Sequence, residues 1–283
     1  MTRLTIAETY DRIWPNPWIL PLFYILASSL AVVMGITIIY TVIKHFRKDM
    51  HIDIQLALFL TVMDTVSGVD FLMAAICNLP PLNIYSSYYN ICLVQVITGS
   101  TTFIASLVII GVIALERCLI VVYNIKMKNT YYWLMISICV IIPLFNSILV
   151  ISTDSIGLMS SGVFCHYDIQ TYYGVVAYII MLTLSAIAIS TLVFSYTKIV
   201  LFRYHHSQTQ QIELGMDPEK VRIETRRTTI KLMSILIINV GTNIPYVIAQ
   251  IMGLFDNSYF NPKVAFFVIP WCGLNVFGIR VYF

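Results

Sequence analysis

Seven runs of mostly apolar residues recur along the 283-residue chain, at roughly 19–43, 55–77, 91–115, 132–151, 172–199, 230–254 and 264–281. As a helix, a run of about 20 residues crosses the ~30 Å hydrocarbon core of a bilayer. Every backbone N–H and C=O in lipid needs an internal partner, which leaves only helices and closed barrels. Barrel strands would show short alternating segments, whereas these runs are continuous. Composition agrees, since 59% of residues are hydrophobic, 11% are charged and the mean hydropathy is +0.83. The expectation is an all-α, seven-transmembrane helix bundle over 19–283, preceded by a polar leader, 1–18, that carries Arg3, Glu8, Asp11 and Arg12. The first run is too long for the apolar region of a secretory signal and reads as a retained span.

Lysine and arginine set the orientation, because cytoplasmic loops collect them. The first loop holds Lys44, Arg47 and Lys48, and the third holds Arg117, Lys126 and Lys128. The fifth is richest, with Lys198, Arg203, Lys220, Arg222, Arg226, Arg227 and Lys231, whereas the even loops together hold only Lys263. This asymmetry puts the amino terminus outside and the odd loops inside.

Glu116 and Arg117 close the third run. Taken alone, they read as an ion pair snorkelling at the interface. Cys92 lies 25 residues earlier, about 37 Å along a helix, so it is outside when Arg117 is inside. At 100° per residue Cys92, Gly99, Ser106 and Arg117 share one face within about 40°, which suits a helix–helix contact rather than lipid. The sixth run carries a polar stripe of Asn239, Asn243, Tyr246 and Gln250 around Pro245, a residue that removes one helical bond and permits a kink. Asp64 puts a carboxylate in mid-membrane, where its cost marks it as a functional candidate. Asp70, about a turn and a half nearer the outside, reads as a partner for a neighbouring helix's polar group or as a counter-ion for a cationic ligand.

With these residues in view, the chain resembles the rhodopsin-like (class A) G-protein-coupled receptors. In that family the third helix begins with a cysteine and ends in an Asp/Glu-Arg-Tyr motif, which stands here as Glu116-Arg117-Cys118. Asp64, Ser106, Trp133 with Pro143, Tyr196 and Pro245 fall at the family's spacing as well. Departures are numerous: Ile36 replaces the first-helix asparagine, Ala188 the fifth-helix proline, and Thr242-Asn243-Ile244-Pro245 the Cys-Trp-x-Pro motif. The seventh helix offers only Asn275-Val276-Phe277-Gly278-Ile279 for Asn-Pro-x-x-Tyr.

The resemblance implies a cell-surface receptor for an extracellular ligand of unknown identity, activating a heterotrimeric G protein through a cytoplasmic cleft around Arg117. It implies a switch of Glu116, Arg117 and Tyr196, a hinge at Pro245, and a relay site of Asp64, Ser106 and Asn275 that takes a sodium ion. It also implies a ligand pocket among Gln95, Gly99, Thr102, Asn243, Tyr246 and Gln250. A Cys92–Cys165 disulfide follows from it too, although on sequence alone Cys77 is a further candidate partner. Gly99 stands where amine receptors carry aspartate, and no lysine between 264 and 281 offers a retinal attachment point, so no cofactor beyond sodium is expected. Two other readings stay open. Cys118 in place of tyrosine and the missing seventh-helix motif suit a receptor-like protein that does not couple. A transporter or channel could use Asp64 and Asp70 beside a kinked polar helix. An enzyme is not expected, because no metal-ligand cluster, phosphate loop or Ser-His-Asp arrangement stands out, and nothing suggests a nucleic-acid partner.

Overall fold

The computed structural model describes residues 8, 10, 12–45, 52–202, 218–255 and 261–278, with side chains only in part over 218–239 and not over 271–278. Seven long helices form the bundle: α1 Ile19–His45, α2 Ile52–Cys77, α3 Tyr89–Tyr123, α4 Asn129–Ser152, α5 Tyr172–Phe202, α6 Pro218–Phe255 and α7 Pro262–Gly278. Local chemistry sets several of their ends. α2 stops just before the Pro80-Pro81 pair, which has no N–H to offer. α3 ends on Asn124 in the left-handed conformation, φ 53°, which asparagine tolerates. Proline opens both α6 and α7, where the missing N–H costs nothing. Asn261 caps α7, its Oδ1 accepting the N–H groups of Lys263 and Val264 at 3.0 Å each.

The five helices α1 to α5 are each long and apolar enough to cross a membrane. In α6 the apolar stretch is shorter, Val240–Phe255, and α7 has 17 described residues. The bundle wears its apolar side chains outward: Leu26, Val33 and Phe145 are all more than 60% exposed. In water that surface would be an aggregation hazard, and in lipid it is the expected coat. The most buried helix is α3, with 72% of its apolar window inside against 22–33% for α1, α2, α4 and α5. Close approach to α5 needs Gly111, where an added Cβ would come within 3.3 Å of the Ala188 carbonyl oxygen. Small residues at such crossings let membrane helices pack by backbone contact.

Between α4 and α5 the chain makes a two-stranded hairpin, β1 Ile156–Leu158 and β2 Cys165–Tyr167, in antiparallel register with Leu158 opposite Cys165. Its turn passes through Gly162 at φ 73°, a conformation that favours glycine. A disulfide joins Cys165 to Cys92 at the start of α3, with Cα atoms 5.6 Å apart. Cys77 and Cys118 are buried free thiols and Cys139 is half-buried, while the side chain of Cys272 lies outside the described residues. Phe164, beside the disulfide, packs edge-on against Tyr24 of α1 at 4.8 Å and Phe71 of α2 at 5.1 Å. Asn78 pins the hairpin from the α2 side, donating to the carbonyls of Ala74 and Val163 at 2.8 and 2.9 Å and accepting from the Tyr10 hydroxyl. The hairpin is therefore fixed over one end of the bundle.

Candidate functional site

Beneath the hairpin lies a cleft with about 540 Å³ of space, part of it open to solvent, lined from the hairpin and from α1, α2, α3, α5, α6 and α7. Its walls are largely aromatic, with Tyr24, Phe71, Phe103 and Phe164, and its polar groups are Gln95, Ser100, His166 and Tyr246. A second cavity of about 370 Å³ lies beside it between α3, α5 and α6, with Ser185, Asn243 and Gln250 among its lining residues. Phe103, His166, Met181 and Tyr246 line both. No charged side chain lines either cavity among the described residues.

A chain of hydrogen bonds runs across this end of the bundle. Asp70 of α2 accepts from the Thr98 hydroxyl and, at 3.4 Å, from Gln95 Nε2. Gln95 Oε1 accepts the Cys165 N–H at 2.8 Å, which ties the hairpin to α3 a second time. The Tyr167 N–H donates to His166 Nδ1 at 2.7 Å, so in the neutral ring the proton sits on Nε2 and is donated to the Tyr246 hydroxyl at 3.2 Å. His166 packs edge-on against Tyr167 and Tyr178, and burial lowers its pKa from 6.5 to about 4. A neutral imidazole thus links the hairpin to α6 at physiological pH.

Gly99 has a specific job in this arrangement. A Cβ built on it would lie 2.5 Å from Asp70 Oδ2 and 3.1 Å from Gln95 Nε2. The carboxylate from α2 fills the space that a side chain at position 99 would need. Of the sequence-derived pocket residues, Gln95 and Gly99 line the first cleft, Asn243 and Gln250 the second, and Tyr246 both. Thr102 is buried, lines neither cavity, and turns its hydroxyl back to the Thr98 carbonyl at 2.7 Å. His166, Phe103 and Phe164 were not singled out from the sequence. The usable signal for His166 was its place next to Cys165, because a residue adjoining a disulfide at a helix mouth is held there.

At mid-bundle Asp64 is 2% exposed and accepts a hydrogen bond from Ser106 of α3. The third residue of that expected group, Asn275, has its side chain outside the described residues. No group of three or more acidic, cysteine or histidine side chains suited to a metal occurs among the described residues. Toward the opposite end α3 continues past the expected limit of the span, so Glu116 and Arg117 sit within the helix rather than at its end. Glu116 is buried and Arg117 half-buried, with Arg117 close enough to the buried Tyr196 of α5 to act electrostatically on its hydroxyl. Pro245 lies inside α6, which runs unbroken through it.

The crystal structure of squid rhodopsin matches the whole of this chain, and the chain covers 83% of that one, with a TM-score of 0.71 at 14% sequence identity. No protein-family model matches the sequence, and no curated protein does. The architecture is therefore a seven-helix bundle of the fold seen in squid rhodopsin. With its apolar exterior, this is a multi-pass membrane protein.

Proposed function

We propose that the chain is a cell-surface receptor that binds an extracellular ligand at the hairpin end and activates a heterotrimeric G protein through a cleft around Arg117. One observation carries this reading: the single helix α3 holds the cleft wall at Gln95 and Gly99, the partner of Asp64 at Ser106, and Arg117 within electrostatic reach of Tyr196. A ligand that binds one packing of α3 against α5 and α6 better than another biases the opposite end by that difference in affinity. Pro245 gives α6 a weak point about which to move. The buried Asp64 carboxylate and Ser106 hydroxyl are oxygen donors of the kind a sodium ion takes, with Asn275 the proposed third. When bound, the ion would supply positive charge to a carboxylate kept from water.

The test is basal activation of a G-protein panel by cells bearing wild type or Arg117→Ala at equal surface density. The wild type is expected to signal above mock-transfected cells, and Arg117→Ala to fall toward them. Equal signals from both chains would remove Arg117 from coupling. Silence from the wild type across the panel would favour the non-coupling reading.

A further inference from the structure

Gln250 is 2% exposed and lines the second cavity, and its Nε2 has no hydrogen-bond partner among the described residues. Leaving an amide donor buried and unmatched costs about 1–3 kcal/mol, so a group of this kind needs an explanation. The cavity it lines is walled by apolar Ile104, Leu107, Leu182 and Val247 and by the uncharged polar groups of Ser185, Asn243 and Tyr178, and among the described residues no charged side chain lines it or its neighbour. A charged occupant would meet no opposite charge in contact. The Asp70 carboxylate of α2 is engaged by Thr98 and Gln95 and lines neither cavity.

The wall between the two cavities is made of residues that line both. It consists of the His166–Tyr246 hydrogen bond at 3.2 Å, the edge-on Phe103–Tyr246 contact at 6.2 Å, and the unbranched side chain of Met181. One neutral hydrogen bond is worth about 1 kcal/mol net, and methionine repacks readily. Tyr246 and Gln250 stand one helical turn apart on α6, on either side of which the partition opens or the amide points. We propose that the two cavities are halves of one site for an uncharged, largely apolar molecule bearing an acceptor oxygen, which Gln250 Nε2 engages while the molecule displaces the His166–Tyr246 bond. This deepens the receptor reading and rests on it. It also names the contact through which an occupant reaches α6 next to Pro245: the loss of one bond to the hairpin and the gain of one to the ligand.

The experiment uses the purified full chain in lipid nanodiscs, with thermal melting as readout. The probes are aryl alkyl ketones of about ten to sixteen heavy atoms, each with its matched hydrocarbon and primary amine. Ketones are expected to raise the melting temperature above both matched sets. Gln250→Leu should weaken ketone binding about ten-fold without lowering the melting temperature of the ligand-free protein, because the amide nitrogen makes no bond to lose. Tyr246→Phe should tighten binding of the longest ketones about five-fold, the equivalent of a ~1 kcal/mol partition no longer broken on entry. Stabilisation led by the amines, a ketone preference that survives Gln250→Leu, or no response to any ketone would each overturn the proposal. None of these outcomes bears on coupling, which the Arg117 assay reads without a ligand.

Discussion

Substituting alanine for Gly99 adds one carbon where the structure has none to spare. The new Cβ would lie 2.5 Å from Asp70 Oδ2, a separation that real Cβ atoms essentially never show, and 3.1 Å from Gln95 Nε2. The carboxylate is short and held by the Thr98 hydroxyl and the Gln95 amide, so it moves only by giving up those bonds. Hydrogen bonds to a charged group are worth about 1.5–3 kcal/mol, and forcing α2 and α3 apart instead costs about 1–3 kcal/mol. Against this, alanine in a helix gains about 0.5–1 kcal/mol over glycine. The net loss is expected at about 1–2 kcal/mol, read as a fall of several degrees in the melting temperature in nanodiscs. Asp70→Ala empties the space, so in that background Gly99→Ala should be neutral or stabilising. The double-mutant cycle then yields a coupling of about 2 kcal/mol. The same fall in both backgrounds would show that the carboxylate does not stand against Gly99, and the reasoning would be wrong.

Two further outcomes follow from the hairpin. Burial holds His166 at a pKa of about 4, against 6.5 when exposed, and the groups facing it are the uncharged rings of Tyr167, Tyr178 and Tyr246. The unfolded chain takes up the proton first, so stability falls as pH drops from about 6.5 toward 4, by on the order of 3 kcal/mol. His166→Phe should flatten that part of the melting-temperature profile, and an unchanged slope would assign it to other groups. The disulfide closes a separation of 73 residues, and by chain entropy its loss costs about 4 kcal/mol. Cys165→Ser and reductant on the wild type should therefore lower the melting temperature alike, and a wild type indifferent to reductant would contradict a bond that carries this load.

Legibility varied with the range of the interaction that decides each feature. The polar stripe of α6 was readable because Asn243, Tyr246 and Gln250 share a face by helical geometry alone, and the structure turns that face to the cavities. Thr102 sits in the same register as the cleft residues of α3, yet its hydroxyl is satisfied one turn back on its own helix, a competition that periodicity does not show. The reach of α3 to Tyr123 was missed because hydropathy ends a span where charge begins, whereas a helix continues wherever its partners bury it.

The sequence by itself determined the seven helices and their membrane setting, since bilayer thickness and the need to satisfy every backbone group act on each segment separately. It also determined which residue types stand on which helix face. Only the tertiary structure decided what those faces meet: the Asp70 carboxylate filling the gap at Gly99, Phe164 driven between Tyr24 and Phe71, and His166 carried to Tyr246. Each of these depends on distances between segments far apart in the chain, set by hairpin register, the disulfide and helix packing together, and no local pattern encodes a distance of that kind.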